Sequence, residues 1–206
     1  MFGLNEFATW LVVLDPLGMV PIFWALSHRD TPAHRRRMAV HSVAYSTCIL
    51  AAFAVFGRHI LEIFGIGMPA FRIAGGLLLF LLSIDMIFAR QSGLRSTTTS
   101  EREEAGHRDD ISVFPLAFPL IAGPGALTTV LLFSKRAEGL LPYVATIGMM
   151  LFVLGLVLAC LLLAEPIMRR LGETGANVVS RLLGLILAAL SVQYAVDGIR
   201  ESFLTM

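Results

Sequence analysis

Two proline–glycine clusters interrupt apolar stretches long enough to cross a membrane, and they constrain the fold more than any other feature of the chain. The first is Asp15-Pro16-Leu17-Gly18-Met19-Val20-Pro21, inside the apolar run 7–26. The second is Pro119-Leu120-Ile121-Ala122-Gly123-Pro124-Gly125, inside 111–133. Proline removes a backbone donor and its ring meets the carbonyl four residues back, so a helix kinks or opens there. In hydrocarbon the freed groups need other partners, so such a break persists only when buried in protein or lining a cavity. Two broken helices at matching places in two halves of a chain point to a transporter binding site.

Six apolar runs are present, at 7–26, 38–56, 69–88, 111–133, 140–163 and 178–199. At about 1.5 Å per residue, each is long enough for a ~30 Å hydrocarbon core. The expected fold is all-α: a polytopic membrane protein of six transmembrane helices, with helices one and four broken. Composition agrees, since 56% of residues are hydrophobic and only 15% charged, where soluble domains carry about 25% charged residues. A net charge of +1 creates no global field for nucleic acid, so no such partner is expected. Cys48 and Cys160 fall in apolar runs and read as small core residues, not a disulfide framework. The start, Met1-Phe2-Gly3-Leu4-Asn5-Glu6, lacks the basic region of a signal peptide, so the first run is expected to remain as a helix. Thr31-Pro32 supplies an N-cap and a first-position proline for helix two.

The halves repeat. Pro16 and Pro124 lie 108 residues apart, and Arg72-Ile73-Ala74-Gly75 recurs as Arg181-Leu182-Leu183-Gly184 at an offset of 109. Three spans per copy is an odd number, so the second copy enters from the opposite side. The reading is two inverted three-helix repeats, at 1–89 and 111–206, joined by a polar cytoplasmic linker at 90–110. Arg29, Arg35, Arg36, Arg37, Arg90, Arg95, Arg102, Arg108, Arg169, Arg170 and Arg181 lie in or beside the odd loops. The other side has Arg58, Arg72, Lys135, Arg136 and Arg200. The bias places the odd loops in the cytoplasm and both termini outside, that is, periplasmic in a bacterium.

Few residues here carry chemistry. Asp15 sits nine residues into the first run, where a carboxylate costs roughly 2.5–3.5 kcal/mol at the bilayer centre. It should face a polar interior, as a proton carrier or ligand contact, as a cap for the amides freed after Pro16, or as both. Gly123-Pro124-Gly125 permits unwound backbone to approach a small ligand. The half-helix that follows aims its free amides at the break, which suits a carboxylate. Thr128 and Thr129 offer hydroxyls to a ligand or to their own preceding carbonyls. Gly18 and Pro21 supply the mirrored half. Substrate contacts are thus expected from Asp15, Pro16, Gly18, Pro21, Gly123, Pro124, Gly125, Thr128 and Thr129; the competing reading is a pair of packing kinks. Asp15, Asp85 and Gln193 are the ion-coupling candidates. Asp85 also reads as an interfacial carboxylate near Arg90, and Gln193, its approximate repeat counterpart, suggests a shared inward face. No metal cluster, phosphate loop or nucleophile–base pair is visible, so neither a metal, a cofactor nor an enzyme is expected.

These motifs resemble the MarC family of bacterial six-span inner-membrane proteins. The matching stretches are Asp15-Pro16-Leu17-Gly18 with Pro21-Ile22-Phe23, the run from Pro115 through Ala122-Gly123-Pro124-Gly125-Ala126 with Thr128-Thr129, and Phe71-Arg72-Ile73-Ala74-Gly75-Gly76. The resemblance covers essentially the whole chain. Some relatives move glycine and alanine, and the family looks related to lysine-exporter-like carriers. The resemblance implies a bacterial inner-membrane secondary transporter of small neutral amino acids, working as exporter or exchanger by alternating access. Its partners would be that substrate and the lipid bilayer, with coupling to H⁺ or Na⁺ and homo-oligomerisation left open. The alternative is a non-transporting membrane partner or assembly protein.

Overall fold

The computed structural model describes residues 2–28, 30–88, 110–136 and 139–204, almost all helical and with no strand among them. Of the linker expected at 90–110, only Asp110 falls within the described residues. Helices α1 (Phe2–Leu14) and α2 (Met19–Ser27) together make one broken span. They are followed by α3 (Pro32–Ile63) and α4 (Met68–Phe88). The second half comprises α5 (Ser112–Ile121), α6 (Pro124–Arg136), α7 (Leu140–Leu162) and α8 (Ala164–Leu204). Five spans are long and apolar enough to cross a membrane, and α5 with α6, bent by 57°, completes a sixth. The protein is therefore an all-helical, multi-pass membrane protein.

Local chemistry accounts for the boundaries. Thr31 caps α3 by accepting a hydrogen bond from the His34 amide at 3.3 Å, with Pro32 in the first turn. Between α7 and α8 the hydrogen bonds Leu163→Ala159 and Ile167→Leu163 carry the helix onward. Gly172, with φ 66° and ψ 177°, interrupts α8; a left-handed φ of this kind suits glycine, which has no Cβ to clash. Residues 164–177, expected as a loop, are thus helical except at Gly172. The helix 140–171 mirrors α3, residues 32–63, at an offset of 108.

Helices α4 and α8 pack antiparallel through a seam of small residues. A methyl added to Gly76 would lie 2.7 Å from the Ser191 carbonyl and 2.9 Å from the Ala195 amide; one added to Gly184 would lie 2.8 Å from Met86 Cβ and 3.2 Å from the Ile87 amide. The two amide contacts, Gly76 with Ala195 and Gly184 with Ile87, become each other on exchanging positions 108 apart. Leu79 and Leu187 are both fully buried. Ser83 and Ser191 each bond the carbonyl three residues back, at 2.6 and 2.7 Å. The register of this seam is 108, as at the prolines. The offset of 109 read from Arg-x-x-Gly is off by one here, because Gly75 packs elsewhere, against Thr128.

The broken first span lies deepest. Its apolar window is 56% buried, against 28–39% for the other four continuous spans. Trp10, Leu14, Met19 and Phe23 are fully or almost fully enclosed around it. Two ion pairs tie helix ends on opposite faces: Arg35 to Glu165 at 3.2 Å, and Arg72 to Glu201 at 2.9 Å.

Candidate functional site

At the first break α1 ends with Asp15 N–H donating to the Leu11 carbonyl at 3.0 Å. Asp15 then adopts φ 42°, a left-handed conformation that Asp tolerates better than most residues. Its side chain is fully buried. Its Oδ1 accepts from the Gly18 amide at 3.0 Å, while its own carbonyl accepts from Met19 at 3.1 Å. The Val20 amide reaches the Leu17 carbonyl at 3.2 Å. Pro16 has no amide to satisfy. The start of α2 is thus capped from within the chain by Asp15. A methyl at Gly18 would sit 2.0 Å from Asp15 Oδ2 and 2.5 Å from Ser180 Oγ. The Asp15 carboxylate and the Ser180 hydroxyl, from opposite halves of the sequence, therefore flank Gly18 together.

The second break is built differently. Helix α5 has wide turns, with Leu116 N–H donating to the Ile111 carbonyl at 3.3 Å and Ala122 to Ala117 at 2.8 Å. The bonds preceding Pro115 and Pro119 are cis. Helix α3 holds this segment: Ser46 Oγ donates to the Ser42 carbonyl at 2.8 Å and lies 3.3 Å from that of Ala117. Gly123 accepts from the Leu127 amide at 3.0 Å and opens α6. The helix itself supplies no acceptor for the next two amides, Gly125 and Ala126. The residue 108 after Asp15 is Gly123, so the position that carries the capping carboxylate at the first break has no side chain here.

The breaks lie side by side. A methyl at Gly125 would be 3.7 Å from Val13 Cγ1, two residues before Asp15, and 2.9 Å from Leu79 Cδ2. Val13, Leu82, Pro119, Gly123, Pro124 and Gly125 help to line a cavity of about 20 Å³, room for on the order of one water. Thr129 Oγ1 donates to the Gly125 carbonyl at 2.8 Å, so this hydroxyl serves its own backbone. Thr128 is buried, and its Cγ2 would lie 2.0 Å from a methyl on Gly75. Pro21 is half-buried in α2 and does not line the cavity. Asp85 is buried on α4. Gln193 is exposed on α8 and donates to Asp197 Oδ1 at 2.7 Å. The shared inward face expected for Asp85 and Gln193 is therefore not formed. Sequence reasoning missed Val13 and Ser180, which carry no motif and matter only by contact, and read Gly75 only as part of the Arg-x-x-Gly repeat. Among the described residues no three His, Cys, Asp or Glu side chains gather to hold a metal ion.

A family model described as MarC family integral membrane protein matches residues 2–203. The chain belongs to the MarC family. A UPF0056 membrane protein of Methanocaldococcus jannaschii is 39% identical over 198 residues, covering 96% of each chain. The UPF0056 membrane protein YvbG of Bacillus subtilis is 36% identical, covering 98% of this chain and 96% of its own. A third relative, from Archaeoglobus fulgidus, is 34% identical over 207 residues, covering 100% of this chain and 95% of its own. Archaeal members mean that MarC-type proteins are not confined to a bacterial inner membrane. No solved structure matches the chain. For a MarC protein, the geometry above puts both proline–glycine breaks in the most enclosed part of the molecule.

Proposed function

We infer that the chain is a secondary transporter of small neutral amino acids such as glycine or alanine, an exporter or exchanger working by alternating access between two inverted repeats. One observation carries this reading. Two helix starts lie together in the interior; Asp15 caps α2, whereas Gly123 stands at the matching place before α6. A substrate carboxylate at the second break would meet the Gly125 and Ala126 amides and the positive end of α6. Its ammonium would be left for unwound carbonyls of α5. The bare backbone and the apolar wall of Val13, Leu82 and Leu79 favour a substrate with little or no side chain.

The cavity, about 20 Å³, is smaller than any amino acid. Entry requires α4 or α5 to move. Helix α5 is interrupted by Pro115, Pro119 and the non-helical backbone at Phe114 and Phe118, so it has regular backbone bonds missing along its length.

The test is uptake and counterflow of labelled glycine, alanine and serine in proteoliposomes, with and without pH and sodium gradients. Counterflow above protein-free vesicles for at least one of the three is expected. Its absence for all three, in correctly inserted protein, overturns the proposal.

A further inference from the structure

At the end of the bundle opposite the Arg72–Glu201 pair, a second cavity of about 400 Å³ opens between the start of α3 and the junction of α7 with α8. That volume falls within the range of small-molecule sites. Leu161, Leu162 and Pro166 form apolar wall, and Arg35, Arg36 and Glu165 supply the charge.

The charges do not cancel. Glu165 is held between two guanidiniums, Arg35 at 3.2 Å and Arg169 at 2.7 Å. Arg35 is mostly buried, its side chain 14% exposed, and its Cζ lies 4.9 Å over the Trp24 ring. One carboxylate thus faces two cations, with Arg35 fixed in place. Arg36 is exposed and makes no ion pair among the described residues. The amino-terminal end of α3 adds the positive end of a helix dipole. The site lies on the arginine-rich side of the chain, where apolar wall gives way to water. A free anion has no use for Leu161 and Leu162, and a zwitterionic headgroup gains little from surplus positive charge. A phospholipid with a net negative headgroup satisfies both halves of the site.

We propose that this cavity is a binding site for an anionic phospholipid, its phosphodiester between Arg35 and Arg36 and its upper acyl carbons against Leu161 and Leu162. The proposal is independent of what the protein transports.

Native mass spectrometry of the detergent-purified full chain tests it. Phosphatidylglycerol or phosphatidylcholine is added in equal amount and the retained lipid counted. The wild type is expected to retain phosphatidylglycerol preferentially. Arg36→Gln, an exposed change that leaves the Arg35–Glu165 pair intact, is expected to lower retention about fivefold, the effect of roughly one basic side chain near an anionic headgroup. Arg58→Gln, an exposed arginine on the other face of the bundle, should leave it unchanged. Equal retention of both lipids, an unaltered Arg36→Gln, or an equal loss in Arg58→Gln each overturns the proposal. Displacement of the lipid by equimolar glycerol phosphate would make this a free-anion site and overturn it as well.

Discussion

Asp15 Oδ1 accepts the Gly18 amide at 3.0 Å, closing the four-residue break, 15–18, between the helices of the first span. A buried amide left without an acceptor costs about 1–3 kcal/mol. Asp15→Ala should therefore lower the thermal midpoint in detergent, while Asp15→Asn, which keeps a side-chain carbonyl, should stay close to wild type. If the two substitutions proved equally damaging, the residue would be acting through its charge instead of its cap.

Gly75 and Thr128 test the packing behind the second break. A methyl on Gly75 would sit 2.0 Å from Thr128 Cγ2, and overpacking of this kind typically costs about 1–3 kcal/mol. Gly75→Ala should destabilise. Thr128→Ser removes that Cγ2 and should restore much of the loss in the double variant. A strictly additive double variant would show that the strain lies elsewhere.

Gly125 discriminates transport from plain packing. Gly125→Ala meets mainly the end of a Leu79 side chain, at 2.9 Å, and should insert and retain much of any glycine flux. Gly125→Leu fills the cavity and should reduce flux at least tenfold while the protein still inserts. Full flux in an inserted Gly125→Leu protein would remove the second break from the pathway.

The Arg72–Glu201 pair is largely shielded, with side chains 13% and 31% exposed, whereas those of Arg58 and Glu62 are 77% and 57% exposed. Exposed pairs contribute about 0–1 kcal/mol, and losing one partner of a shielded pair costs more. Glu201→Gln should therefore lower the thermal midpoint clearly and Glu62→Gln barely. The same midpoint for both variants would count against a structural role for the inner pair.

Asp110 precedes α5 and accepts hydrogen bonds from both the hydroxyl and the amide of Ser112, the latter at 2.8 Å. The Ser112 hydroxyl is the main reason its carboxyl lies below the ordinary value; burial opposes the shift, while the Ser112 amide, His41 and His34 reinforce it. A lowered folded-state pKa contributes stability that is present above the unfolded value and lost as pH falls through the folded one. Wild-type protein should lose this increment on acidification below the usual carboxylate range. Asp110→Asn should lack it at neutral pH, so the two unfolding curves should converge at low pH. A constant gap between them across that range would rule out the linkage.

Much of the fold was legible because its signals are local. The six spans follow from apolar length, and α3 begins at Thr31-Pro32 as the capping rule demands. The breaks follow from Pro16 and Pro124. Helix faces were harder to read. A one-residue error in register turns a helix by about 100°, which separates an offset of 108 from 109; even at 108, where Asp85 corresponds to Gln193, Asp85 is buried and Gln193 exposed, because the two helices do not bury the same face at that end. The helical stretch 164–171 was missed because its charges resemble a loop, although they pair with Arg35 and with each other along the helix.

The sequence alone determined that the chain crosses a membrane and where its helices break, because hydrophobic length and the missing proline amide act within one segment. Only the tertiary structure decided which groups the breaks face. It gave Asp15 the Gly18 amide, set Ser180 beside them, and brought Val13 to Gly125. Those outcomes depend on how helices rotate and pack against one another, and the close approaches at Gly75, Gly76 and Gly184 fix that rotation.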